Sequence, residues 1–179
     1  NFLVSNQKDV HNLLTKYTDA CFLYLRRQVQ SGADVIQIFD SWANLLTKEG
    51  LIEYSFNYIN ALISALKLDP VTKNIPVIVF ARNPKCNIEE LINTSADCIS
   101  LFWSMNDLNF ELAKNKVAIQ GNLDPKILLE SDEIIKRETY KILEKFEKYP
   151  GYIFNLGHGI TPDINPDKIK YLTNIVREY

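Results

Sequence analysis

Three features of the sequence predict an α/β fold built on a parallel sheet. Amphipathic helical stretches alternate with short runs that are nearly all apolar. Five such runs occur, each fed by a helix, and none shows the strict alternation of a half-solvated strand. Strands of that kind, joined by helices, form a parallel sheet covered on its outside. An open doubly wound sheet and a (β/α)8 barrel both satisfy the pattern. The chain has 179 residues, and a complete barrel typically needs about 250, so five units fit the last part of one.

The first helix is predicted from Asn6 to Gln30, with Leu13, Leu14, Tyr17, Ala20, Cys21, Tyr24 and Leu25 at helical spacing. Gly32 ends it, and Val35 to Phe39 follows as a strand. A second helix spans Lys48 to Leu66 with Leu51, Ile52, Phe56, Ile59 and Ile63 on one face. Asp69-Pro70 and Ile75-Pro76 bracket a loop before the strand Val77 to Phe80. The helix Ile88 to Ala96 leads to the strand Cys98 to Leu101. A short helix near Asp107 to Ala113 leads to the strand Val117 to Gln120.

Asp124-Pro125 and Asn165-Pro166 have the form of helix starts, a capping side chain before proline at the first helical position. The helix Asp132 to Lys148 carries Glu133/Arg137 and Glu144/Lys148 at i,i+4, a solvated charged face. The run from Tyr152 is read as a buried strand closed by glycine, and Pro166 to Glu178 as the last helix.

Composition narrows the function classes. A net charge of −2 gives no electrostatic footprint for nucleic acid. No run of about 18 apolar residues suggests a membrane span, and no basic-then-apolar opening suggests a secretory signal. The three cysteines, Cys21, Cys86 and Cys98, are odd in number and far apart. That suits a reducing compartment. Neither Cys-x-x-Cys nor His-x-x-x-His spacing occurs, so the usual zinc and iron ligand sets are missing. The Gly157-His158-Gly159 turn runs into Thr161-Pro162 and does not complete a Gly-x-Gly-x-x-Gly phosphate loop. Ser41 and His158 suggest a nucleophilic triad, but no Gly-x-Ser-x-Gly elbow surrounds Ser41.

Chemistry is expected at the carboxyl ends of the strands, where α/β folds place it. Four of those five ends are strongly polar: Asp40-Ser41 after Phe39, Arg82-Asn83, Gln120-Gly121-Asn122-Leu123-Asp124, and Asn155-Leu156-Gly157-His158. Glycine on both sides of His158 lets the backbone turn sharply or approach a ligand closely; the plainer alternative is a simple turn with a solvated imidazole. Asp124 is read first as a helix cap, and Asp40 equally as a cap or loop brace.

Taken together, Ile38-Phe39-Asp40-Ser41-Trp42, Gln120-Gly121-Asn122-Leu123-Asp124-Pro125 and Asn155-Leu156-Gly157-His158-Gly159-Ile160 resemble the uroporphyrinogen decarboxylase family in order and gaps. The resemblance covers residues 1–179 as a single domain and corresponds to the second half of the family pattern. It implies a (β/α)8 TIM barrel, of which this chain supplies about the last five β/α units. It also implies a cytoplasmic homodimer of haem and tetrapyrrole synthesis that takes uroporphyrinogen as substrate, with no metal or organic cofactor. The family converts the four acetate side chains of uroporphyrinogen III to methyls, giving coproporphyrinogen III.

By resemblance, Ser41 matches a small hydroxyl residue that contacts substrate, Phe39 walls the pocket, and His158 matches the catalytic, substrate-binding histidine. The family's Arg-Gln-Ala-Gly-Arg motif has no counterpart here, and its pyrrole-binding aspartate and pocket tyrosine lie upstream of Asn1 in the family pattern. Phe102-Trp103 stands where the family usually has Asp-Trp, and Arg82-Asn83 where it has Lys-Gly.

Two alternatives belong to other classes. One is a corrinoid- or folate-linked methyltransferase on the same barrel, whose zinc ligands this sequence does not space correctly. The other is a non-catalytic barrel fragment serving as a binding or assembly module.

Five strands of eight would leave open sheet edges and an exposed apolar face. Residues 1–179 expressed alone are therefore expected to aggregate or to require the amino-terminal half. A cooperative, monomeric thermal unfolding transition of this segment would contradict that.

Overall fold

Each predicted strand forms where β-branched and aromatic residues cluster. The computed structural model describes residues 5–105 and 109–179. Its strands are β1 (Ile36–Asp40), β2 (Val77–Ala81), β3 (Cys98–Ser100), β4 (Ala118–Gln120) and β5 (Tyr152–Ile153). All neighbours pair in parallel, and their spatial order follows their order in the chain. A doubly wound sheet reverses direction at a switch point. This sheet does not, and parallel strands in unbroken chain order are the arrangement of consecutive units in a (β/α)8 barrel.

The helices are α1 (Gln7–Gln30), α2 (Lys48–Leu51, Ile52–Phe56 and Asn57–Leu68, running on without a break), α3 (Ile88–Ile92), α4 (Asp132–Phe146) and α5 (Pro166–Glu178). Helix α2 begins where the Thr47 side chain accepts the Gly50 N–H. Its middle turn, Ile52–Phe56, widens to π geometry. Helix α3 opens on a capping box between Asn87 and Glu90.

Alternation along the strands divides the sheet into two faces. Val77, Val79, Ile99 and Ile119, each fully buried, pack outward with Leu62, Ile63 and Leu66 of α2 and Leu91 of α3. A second cluster joins Leu123, Leu128, Ile135, Ile164, Leu172 and Ile175 beneath α4 and α5. The opposite face, by the register, carries Gln37, Phe39, Phe80, Ser100 and Gln120.

Several expectations are corrected. The packing face of α1 is rotated from the predicted one. Val10 is buried and Phe22, Leu25 and Val29 lie against the core, while Leu13, Tyr17 and Tyr24 are exposed. The polar residues of the nearly apolar strands, Gln37, Ser100 and Gln120, fall on the inner face, and β1, expected to be covered, is only partly so. Helix α3 stops at Ile92 instead of Ala96. There Thr94 Oγ1 donates back to the Leu91 carbonyl, and Ser95 takes a φ of 61°.

The segment after Pro125 forms a 3₁₀ turn, Pro125–Leu129, under the Asp124 cap. Of the short helix placed near Asp107 to Ala113, Asp107 lies outside the described residues, and Phe110–Leu112 form a single 3₁₀ turn. On α4, Glu138 pairs with Arg137 and Lys141, both at 2.8 Å, in place of the predicted i,i+4 pairs. Strand β5 ends at Ile153, although Leu156 continues the pairing through an isolated parallel bridge to Leu123.

Ile119, on β4 between β3 and β5, has no exposed surface. Ile119→Ala in the full-length protein is expected to lower stability by about 2–5 kcal/mol, measured as a shift in the urea unfolding midpoint.

Candidate functional site

The turns that follow β3, β4 and β5 are locked to one another by backbone contacts. The Leu101 N–H donates to the Gln120 carbonyl at 2.8 Å, and the Leu123 N–H to the Asn155 carbonyl at 3.2 Å. Asn122, almost fully buried, sends its side-chain amide to the Phe102 carbonyl at 3.2 Å. The Tyr152 hydroxyl donates to the Gly121 carbonyl, and burial pushes that phenol's pKa up. Gly121 itself has a φ of 119°.

Gly157 completes the lock. Its N–H donates to the Leu123 carbonyl at 2.8 Å, and its Cα lies against the backbone of Trp103. A Cβ there would meet the Trp103 nitrogen at 2.3 Å and its Cα at 2.5 Å. No side chain fits, so glycine is dictated by close approach between two chain segments. Gly159 is different, since a Cβ on it would meet nothing within 4 Å. Of the two glycines flanking His158, one is thus a packing requirement and the other is not.

The lock delivers His158 to the inner face of the sheet. Its ring stands edge-on to Phe80 (centroids 6.3 Å, interplanar 71°) and to Phe102 (5.8 Å, 88°). Phe39 tilts against Phe80 at 5.9 Å. Edge-to-face geometry sets the positive ring edge against the negative face and holds an exposed imidazole in one orientation. Phe102, at the position departing from the family's Asp-Trp pair, thus serves as a platform for His158.

A cleft of about 280 Å³ opens at this point. Phe39, Ser41 and His158 line it together with Gln37, Phe80, Ser100 and Asn155. Along the same face, the Gln120 side-chain amide donates to Ser100 Oγ at 3.0 Å and to Gln37 Oε1 at 3.4 Å. Sequence reasoning brings Phe39, Ser41 and His158 to the rim but misses Gln37, Phe80, Ser100 and Gln120. The available signal is a lone polar residue in each of three apolar strands, at the parity of the inner face.

The other polar strand ends lie elsewhere. Asp124 accepts the Lys126 N–H at 3.0 Å and caps the following turn, as expected. Asp40 points to the outer face, where a larger groove of about 620 Å³ runs between α1, β1 and α2, lined largely by apolar and aromatic side chains. That groove holds more space but none of the residues facing His158 except Phe39. Among the described residues no group of three or more His, Cys, Asp and Glu side chains could hold a metal ion. Burial pushes the thiols of Cys86 and Cys98 up to about 12, so neither is a nucleophile near neutrality.

The family model described as uroporphyrinogen decarboxylase matches residues 1–179, the whole chain. The chain belongs to the uroporphyrinogen decarboxylase family. A uroporphyrinogen decarboxylase of Vesicomyosocius okutanii is 36% identical over 178 residues, covering 99% of this chain and 51% of the relative. That of Aquifex aeolicus is 38% identical over 178 residues, covering 99% and 52%. That of Chlorobaculum parvum is 40% identical over 177 residues, covering 94% and 48%. The chain therefore spans about half the length of these uroporphyrinogen decarboxylases.

A solved methyltransferase from Methanosarcina mazei superposes with a TM-score of 0.70 over 90% of this chain and 47% of its own, at 21% identity. At that identity the likeness speaks for the barrel alone.

The Gly157 contact yields a paired prediction. Gly157→Ala is expected to destabilise the protein by about 1–3 kcal/mol through overpacking against Trp103. Gly159→Ala should stay within about 0.5 kcal/mol of wild type. Thermal melts of the two variants check the difference. For the thiols, iodoacetamide at pH 8 should label exposed Cys21 and spare Cys98, read by mass spectrometry.

Proposed function

We propose that this chain forms the imidazole- and hydroxyl-bearing wall of a cofactor-free decarboxylase. On this reading the enzyme removes CO2 from the four acetate side chains of uroporphyrinogen III to give coproporphyrinogen III. The observation that carries it is the single strand-end cleft shared by Phe39, Ser41 and His158 in a chain matched throughout by the uroporphyrinogen decarboxylase model.

The chemistry asks for little beyond what such a cleft offers. Breaking the bond between an acetate carboxyl and its CH2 leaves an electron pair on that carbon. Protonation of the attached pyrrole beforehand gives those electrons a place to go. CO2 departs, the pair flows into the cationic pyrrole, a proton added to the exocyclic carbon makes the methyl group, and loss of the first proton from the ring restores the neutral pyrrole. The protein must hold the carboxylates, face a flat pyrrole with apolar surface, and move protons.

Phe39 and Phe80 supply the apolar face. Ser41 and Asn155 offer hydrogen-bonding groups to a carboxylate. His158 is the one imidazole in the cleft, and it belongs to the side-chain class that exchanges protons near neutrality. It serves as hydrogen-bond donor to a substrate carboxylate or as proton carrier.

The guanidinium groups of the family's arginine motif have no counterpart in this sequence, and on this reading they come from the amino-terminal half. Residues 1–179 by themselves are accordingly inactive. The remaining part of the proposal is a homodimer in the cytoplasm. The three cysteines, all free thiols, support a reducing compartment.

Uroporphyrin III, the stable oxidised form of the substrate, is a suitable probe. In the full-length protein, His158→Ala is expected to weaken its binding about tenfold, as for a lost hydrogen bond to a charged group. Turnover of uroporphyrinogen should fall with it, while the melting temperature stays unchanged because His158 is exposed. Unchanged binding and turnover would overturn the assignment of His158.

A further inference from the structure

Helix α2 carries a device aimed at the cleft from the far side of the sheet. Its π turn, Ile52–Phe56, is a local departure from α geometry, and such turns occur frequently at functional sites. The turn presents Ser55, only 9% exposed, whose hydroxyl donates to Asp40 Oδ2 at 2.5 Å. The second carboxylate oxygen, Oδ1, accepts the backbone N–H of Trp42 at 3.1 Å. An aspartate that bonds the N–H two residues ahead closes a ring around the residue between them. That residue is Ser41. Behind it, the Asp40 carbonyl accepts the Arg82 N–H at 2.9 Å, which ties the end of β1 to β2.

We propose that Ser55 is a positioning residue: through Asp40 it fixes the turn that presents Ser41 to an anionic tetrapyrrole. The inference rests on the porphyrinogen reading of the cleft. Alternation puts Asp40 on the outer face while Phe39 and Ser41 line the cleft, so neither Asp40 nor Ser55 touches the ligand. Ser41 and Trp42 are themselves exposed, so the residues this carboxylate encloses add no buried side chain to the core. What both carboxylate oxygens secure is the direction of Ser41.

The test is a double-mutant cycle in the full-length protein, with uroporphyrin III dissociation constants and melting temperatures as readouts. Ser55→Ala is expected to weaken binding about fivefold, the worth of one ordinary hydrogen bond. Ser41→Ala should weaken it by a similar factor. The double variant should bind within about twofold of Ser41→Ala alone, because Ser55 acts through Ser41. Ser55→Thr, which keeps the hydroxyl donor, should restore affinity.

Wild-type affinity in folded Ser55→Ala, or fold-changes that multiply in the double variant, would overturn the positioning role. Should Ser55→Ala fail to fold, Asp40→Asn replaces it in the same cycle, where wild-type affinity or multiplying fold-changes again overturn the role. Wild-type affinity in Ser41→Ala would overturn the porphyrin reading of Ser41, and the positioning role with it.

Discussion

The site depends on two backbones touching where no side chain can intervene. Gly157 lies on Trp103 so closely that even a methyl group would overlap main-chain atoms. Because the contact is backbone to backbone, no rotamer change can relieve it, and the end of β5 is fixed relative to the end of β3. The Gly157 N–H bond to Leu123 adds the turn after β4 to the same assembly. Three consecutive units thus share one rigid joint, and His158 is the next residue along. A histidine presented this way needs no deep burial to hold its orientation, since Phe80 and Phe102 meet two sides of its ring.

Much of this is legible in the sequence because the strands obey simple rules. Apolar runs bounded by turn residues locate all five strands. The caps at Asp124 and Asn165, each followed by proline, are equally plain, each side chain accepting the N–H two residues ahead. The rim residues Phe39, Ser41 and His158 are visible because polar or glycine-flanked positions stand directly after those runs. Other features are hidden for physical reasons. Whether Gly157 is required depends on Trp103, more than fifty residues earlier in the chain, and no local pattern reports that. The π turn in α2 is equally invisible, because periodicity reads Ile52–Phe56 as ordinary helix. The packing face of α1 is ambiguous because tyrosines and leucines at helical spacing occur on both of its sides. Only tertiary packing decides that Val10, Leu25 and Val29 face the core.

The two faces of β1 show how one strand end can serve two purposes. Successive side chains point opposite ways, so Phe39 and Ser41 reach the cleft while Asp40, between them, reaches α2. A carboxylate in the cleft would repel an anionic ligand; one residue away it is turned outward and tethered by hydrogen bonds. Among the described residues, the cleft lining contains no carboxylate. Its polar groups are the neutral amides of Gln37 and Asn155, the hydroxyls of Ser41 and Ser100, and the His158 imidazole.

That neutrality has a consequence for how charge is distributed over the barrel. A substrate bearing acetates and propionates needs cationic groups, yet on the proposed reading it must also develop positive charge on a pyrrole during decarboxylation. Guanidinium groups placed all around the ring would oppose that developing cation. A wall of aromatic faces, whose π clouds are negative, favours it instead. Phe39 and Phe80 are packed in such a wall, with amides and hydroxyls beside them satisfying one another through Gln120. On the proposed reading, anion-holding arginines on one half of the barrel and a neutral aromatic wall on the other let one pocket bind a polyanion and stabilise a cation. This chain has the composition of the second kind of wall.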